Sequence, residues 1–351
     1  MAISGRRRTG IVGLVAVLVV AAIGIANVRA DPIPELPPIS GDELLASSLA
    51  ALARPFTISG DVATRFDLGI PLIAGGVSPG AGGGAMGALS MVVGDQRYKV
   101  WRSPDGVRIS HLLAFSEQDL VVSATDAWLW DSSDMSAVHL GIHGTMLREA
   151  DPGTAAVGDA DLLALVRRAL DALAPYADIA VDSAATVAGR AAYVLGLTPT
   201  STLTLVGRIA VAIDAETRLP LRFQVFPRES DAAAVEAGFT NVSFDPIDPS
   251  MFSFTPPPEA TVRQAADVVA DVRAQHGNGP SPVSDHRILG TGFDLRVALR
   301  LDAALPDAAE PLLPYAGPLL SAITVERAGQ TWLLVGPVSV ATLEKDAASL
   351  P

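Results

Sequence analysis

The chain has 351 residues, 49% of them apolar, which is enough for one large domain or two around a real core. Its formal net charge is −13, and because the first thirty residues hold Arg6, Arg7, Arg8 and Arg29 with no acid, the remainder carries 21 basic against 38 acidic residues, a net −17. So acidic a body repels nucleic-acid phosphates and anionic lipid headgroups, which argues against a nucleic-acid partner and leaves membrane contact to apolar burial or a tether.

Arg6 to Arg8 precede an uncharged, apolar-rich run from Ile11 to Val28, and Val28-Arg29-Ala30 is a small-residue cleavage context. Export is the inference, with residues 1–30 acting as a signal peptide or, since the run reaches the length of a spanning helix, as a signal anchor. The chain holds no cysteine, which excludes disulfides, cysteine zinc sites, a cysteine nucleophile and a lipidated N-terminal Cys.

Asp31 to Ser40 holds four prolines in ten residues and reads as an extended spacer. Leu44, Leu45, Leu49 and Leu52 have helical spacing, stopped by Pro55, so residues 31–54 are a spacer and a first amphipathic helix. Ser59 to Leu68 alternates as a strand, with Val62, Thr64, Phe66 and Leu68 on one side. Gly75 to Gly87 is glycine-rich without the Gly-Lys-Ser/Thr ending of a phosphate loop and reads as a mobile hairpin or gate.

A meander follows, with strands at Ser90 to Arg102, Val107 to Leu113, Leu120 to Thr125 and Ala127 to Trp130. Asp159 can cap a helix whose apolar stripe runs from Leu162 to Leu173. Strict alternation then returns three times. Tyr193, Leu195 and Leu197 share a face, as do Ile209, Val211 and Ile213, and as do Leu221, Phe223 and Val225. Phe254 to Pro258 ends in three prolines, which cannot continue a ladder and so close the domain. Beyond it, Gln264 to His276 reads as a helix, Asn278 to Pro282 as a linker, and the rest as strand, helix, hairpin and a last short helix, with Leu333 to Val335 in the hairpin's return strand.

Reactive constellations are sparse. His139 and His143, four apart with Asp131 and Asp134 nearby, could be arranged around a metal, but partly exposed hairpin histidines are the ordinary use of that pattern. No Gly-x-Ser-x-Gly elbow occurs, and Asp245 and Asp248 each precede a proline as turn formers do. The reading is a non-enzyme without cofactor or metal. Trp128 and Trp130 share one strand face and are open to two uses, wall of an apolar cavity or ordinary sheet packing. Arg190 and Arg208 could meet a headgroup or form surface ion pairs.

The segments Val187 to Pro199, Leu205 to Phe226 and Phe239 to Val262 resemble the actinobacterial branch of the LolA/RseB-like lipoprotein-carrier superfamily. The resemblance implies an α+β fold: a curved, incompletely closed antiparallel half-barrel with helices over its concave face, spanning 55–262, and a small α+β domain at 263–351. It implies acyl chains held in an apolar cavity, for which the candidates are Phe66, Leu68, Tyr98, Val100, Trp128, Trp130, Tyr193, Leu195, Leu197, Ile209, Val211, Ile213, Leu221, Phe223, Val225 and Phe239. The implied function is an exported carrier or chaperone for an acyl lipid or lipoprotein, extracytoplasmic and either anchored by residues 11–28 or released near Ala30. The alternative is a membrane-associated regulator resembling RseB, which senses acylated ligands and binds a membrane anti-sigma factor.

Overall fold

The computed structural model describes residues 34–67, 94–141, 164, 167–168, 170–276, 283–302 and 313–351. The N-terminal apolar run, the glycine-rich stretch, Leu68, His143 and most of the helix from Asp159 lie outside them. Among the described residues no helix is long and apolar enough to cross a membrane.

Among the described residues twelve strands form one sheet. In chain order they are β1 (Ile58–Phe66), β2 (Gly94–Ser103), β3 (Gly106–Leu112), β4 (Glu117–Ser123), β5 (Asp126–Asp131), β6 (Ser136–Gly141), β7 (Ala177–Val187), β8 (Arg190–Pro199), β9 (Val206–Asp214), β10 (Pro220–Pro227), β11 (Val235–Ser243) and β12 (Thr261–Gln264). Their spatial order is β12-β6-β5-β4-β3-β2-β1-β11-β10-β9-β8-β7, so the sheet is open, with β12 and β7 at its edges. Two meanders meet along β1 and β11. Every pairing is antiparallel except β12 with β6, which is parallel. That strand departs from the expected closure at the prolines. Residues after the proline run cross back and extend the first sheet as far as Gln264, rather than leaving it at Val262.

Local sequence explains several joints. β7 and β8 are linked through Ala188 and Gly189 at φ 51° and 78°, a two-residue turn whose twist matches that of the strands. The β9–β10 turn is organised by Asp214, whose carboxylate accepts from the amides of Glu216 and Thr217 at 3.1 and 2.7 Å. Gly60 has no room for a side chain, since a Cβ there would lie 2.0 Å from the Asn241 carbonyl oxygen.

The helix α1 (Gly41–Leu52) is capped by Ser40, whose hydroxyl accepts from the Glu43 amide at 3.2 Å, and it lies against β7 and β8. Leu44 is fully buried there, among Tyr193, Leu195, Leu197 and Ile213. A second sheet has five strands in the order β13-β14-β17-β16-β15: β13 (Val283–Leu289), β14 (Arg296–Leu301), β15 (Tyr315–Ala316), β16 (Ser321–Arg327) and β17 (Gln330–Gly336). It follows α2 (Ala265–His276), and α3 (Val340–Ala347) packs on it over a core that includes Trp332, Leu334, Val338 and Leu343. The sheets touch where Thr204 bridges Val338 and the Leu205 amide donates to the Pro337 carbonyl at 2.7 Å. The described residues are thus mostly β, with a smaller helical share than an α+β fold would have.

Candidate functional site

Residues directly opposite one another in a ladder share a face, so register decides which candidates meet. One row runs Leu195, Val211, Phe223, Ala237, Thr64, Gln96, and the next runs Leu197, Ile209, Val225, Val235, Phe66. On the same side of β1, a third row runs Phe239, Val62, Tyr98, His111, Gln118, Asp131. A fourth runs Gly60, Val100, Ile109, Leu120, Leu129, Val138. One face therefore carries apolar side chains from β8 across to β6.

That face has two halves with different cover. On the β7–β9 side, Tyr193, Leu195, Leu197 and Ile213 are buried, with Ile209 and Val211 half-buried, beneath Leu44, Leu45, Leu36, Ile39 and Leu170. The chain's own residues fill that half. Near the middle, Val100, Leu221 and Phe239 are buried with Ile58 and Val62, and Tyr98 packs on them. Phe66, Phe223 and Val225 are half-buried. On the β3–β6 side, Ile109, Leu120 and Val138 are only partly buried and Leu129 is 56% exposed. Sequence reasoning passed over these four. Ile109 and Leu120 lay within the predicted strands, but alternation alone could not attach them to the face of Val100.

Trp128 and Trp130 do not join this face. Trp128 stands opposite Val121 and Trp130 opposite Asp119, on the side of the sheet away from Leu129. There Phe254 packs at 5.6 and 5.8 Å from their ring centroids, and His139 stacks on Trp128 at 4.2 Å. The 3-10 helix Pro249–Phe252 covers the same side, with Phe252 against Gly106. Leu68 lies outside the described residues.

One polar row crosses the apolar face. His111, 8% exposed, stacks on Tyr98 at 4.7 Å, while its Nε2 meets Gln96 Oε1 at 2.8 Å and its Nδ1 faces Gln118 Oε1 at 3.4 Å. Gln118 donates in turn to Asp131 at 2.6 Å. Burial pushes the His111 imidazole below its ordinary value, only partly offset by the Gln118 hydrogen bond. Burial also opposes ionisation of Asp131, but hydrogen bonds from Ser133 and Gln118 outweigh it and hold that carboxyl low. Among the described residues a groove of about 540 Å³ is lined by Val62, Thr64, Gln96, Tyr98, Arg97 and Leu112, at this end of the strands.

The two arginines singled out by sequence are engaged. Arg190 holds Asp214 at 2.5 Å and Glu216 at 2.9 Å, and Arg208 holds Asp182 at 3.2 Å. His139 Nε2 lies 2.7 Å from Asp126, so its polar contact is to that carboxylate rather than to the acids named with it. Among the described residues no cluster of three or more His, Asp or Glu side chains is arranged to hold a metal ion.

No protein-family model matches the chain, and no curated protein matches it. Solved structures do. MucB of Pseudomonas aeruginosa, in its complex with MucA, is 14% identical with a TM-score of 0.46, covering 87% of this chain and 96% of that one. A LolA-superfamily protein of Nitrosomonas europaea is 9% identical with a TM-score of 0.24, covering 62% and 99%. A lipoprotein-sorting domain of Vibrio parahaemolyticus is 11% identical with a TM-score of 0.21, covering 57% and 91%.

Proposed function

We propose that this chain is an exported, extracytoplasmic binding protein, not an enzyme, that holds acyl chains of a lipid or lipoprotein on the apolar face of its larger sheet. The observation that carries this reading is the row Val100, Ile109, Leu120, Leu129, Val138: aliphatic, continuous across five strands, and left partly open by the described residues. The neighbouring half of the face, capped by α1, is the wall against which a chain would end. Phe66, Phe223 and Val225, half-buried on the same face, extend the surface toward β10. Residues 55–264 would form this binding body and the later residues a second, smaller module.

The energetics suit a carrier. Moving an acyl chain of about fourteen carbons into water costs on the order of 11 kcal/mol at about 0.8 kcal/mol per methylene, so free diffusion is blocked. Exchange between a bilayer and an apolar face swaps one greasy setting for another, close to balance. A small bias from a partner then decides loading or release.

The test is native mass spectrometry of the full chain purified from its host membranes. Acyl species are expected on the wild type and lost on Leu129→Asp, which strands a charge on the open half. Wild-type protein that carries no acyl species would overturn the reading. A regulator resembling RseB is a second reading, favoured by β13, an edge strand of the second sheet on which Ile288 is 52% exposed. On that reading Ile288→Asp weakens co-purification of a membrane-protein partner without changing acyl content. Unchanged recovery of the partner would remove it.

A further inference from the structure

We infer that the tip of the β3–β4 hairpin is a membrane finger, which enters the surface of a lipid bilayer beside the groove. This goes beyond the acyl-binding reading and does not need it. Leu112, Leu113, Ala114 and Phe115 form an unbroken apolar run, and Leu112, Leu113 and Phe115 are 42%, 37% and 102% exposed. The ladder ends at Leu112 opposite Glu117, and the Leu113 amide donates to the Ser116 carbonyl at 2.9 Å, so a closed tip carries these side chains past the end of the strands.

The shape selects the occupant. A stable protein interface buries about 800 Å² on each partner, far more than three side chains on a hairpin tip supply. A bilayer needs no shaped counterpart; it takes in a narrow apolar tip and leaves the flanking polar residues among headgroups. On β1 and β2 beside the tip, Arg65, Arg97 and Lys99 stand among Asp61 and Asp95, and Glu117 faces Leu112 at the tip itself, so the flank is of mixed sign and near neutral in a chain whose net charge is −13. Leu112 also lines the groove with Gln96 and Tyr98, so the finger adjoins the polar end of the apolar face.

The chain has no cysteine, which allows a probe to be placed at one position of the full-length protein. Phe115→Cys, labelled with an environment-sensitive fluorophore, is compared with Ala124→Cys, an exposed site in the turn at the far end of β4. Each is reconstituted in phosphatidylcholine vesicles, with and without phosphatidylglycerol, carrying lipid-borne nitroxide quenchers. The label at 115 is expected to shift to the blue and to be quenched several-fold more than that at 124. In a second arm, a label on Ala114→Cys should lose most of its quenching when Leu113 and Phe115 are both replaced by serine, with the thermal unfolding midpoint unchanged. Equal water exposure at 115 and 124 overturns the proposal. So does a label at 115 that is shielded yet untouched by the lipid quenchers, the result expected if a second copy of the chain covers the tip. Because no cargo is involved, a chain that carries no acyl species but inserts its finger would sink the binding reading and leave this one standing.

Discussion

Asp214 shows how this acidic chain accommodates a charge inside its sheet. The carboxylate is 1% exposed, yet it is met by Arg190 at 2.5 and 3.0 Å and by the amide and hydroxyl of Thr217 at 2.7 and 2.9 Å. Burial works against its ionisation, but the Arg190 and Thr217 hydrogen bonds prevail and hold the carboxyl below the ordinary range. Asp214→Ala is expected to cost about 3 kcal/mol in urea unfolding, because it leaves Arg190 without its buried partner. The sign with pH follows from a folded value lower than the unfolded one. Its contribution is full above the unfolded carboxylate value of about 3.9 and drains as pH falls through the lower folded value. Stability of the wild type should therefore fall more steeply in that acid window than stability of the variant. Equal slopes would show that the Asp214 carboxyl titrates alike in the folded and unfolded chain, and that Arg190 and Thr217 do not hold it low.

At the scale of elements, α1 does most to define the site. Its leucine spacing marked a helix from sequence alone, but nothing in that spacing says what the helix covers. Leu44 caps Tyr193, Leu195, Leu197 and Ile213, residues whose alternation had named them as cavity candidates. Leu44→Ala should cost about 3 kcal/mol, the usual toll for a buried leucine cavity, whereas Ser40→Ala, which removes only the helix cap, should cost about 1 kcal/mol. Chemical denaturation of both variants checks the ratio. If the two losses were equal, packing against β8 would not be what holds the helix. The strands themselves were legible: the alternating sets at Tyr193 to Leu197, Ile209 to Ile213 and Leu221 to Val225 fall within β8, β9 and β10. Their shared face was not, since a single-residue slip in register reverses every side chain. Trp128 and Trp130 illustrate the gap. Their spacing put them together, but the residue that packs on both, Phe254, is far off in sequence.

At the scale of the molecule, the proline run after Phe254 was read as an end because local rules see only the broken ladder. The parallel pairing of β12 with β6 is a long-range contact between residues 261–264 and 136–139, and no local pattern announces it. The order of the large sheet also bears on how it is made. β1 is its earliest strand in the chain yet sits near the middle, between β2 and β11, so the junction ties Ser59 to Ser243. Each meander can assemble from neighbouring segments as it is synthesised, but the seam between them must wait for the later one, and long loops close slowly. Until then one side of β1 offers unpaired amides and carbonyls to any passing strand, a hazard during biogenesis rather than in the finished protein. The seam also carries its own register mark: Asp61 pairs with Asn241 and Val62 with Phe239, so the extra residue, Thr240, belongs to β11, and the bulge forms only when the later strand docks in this one alignment.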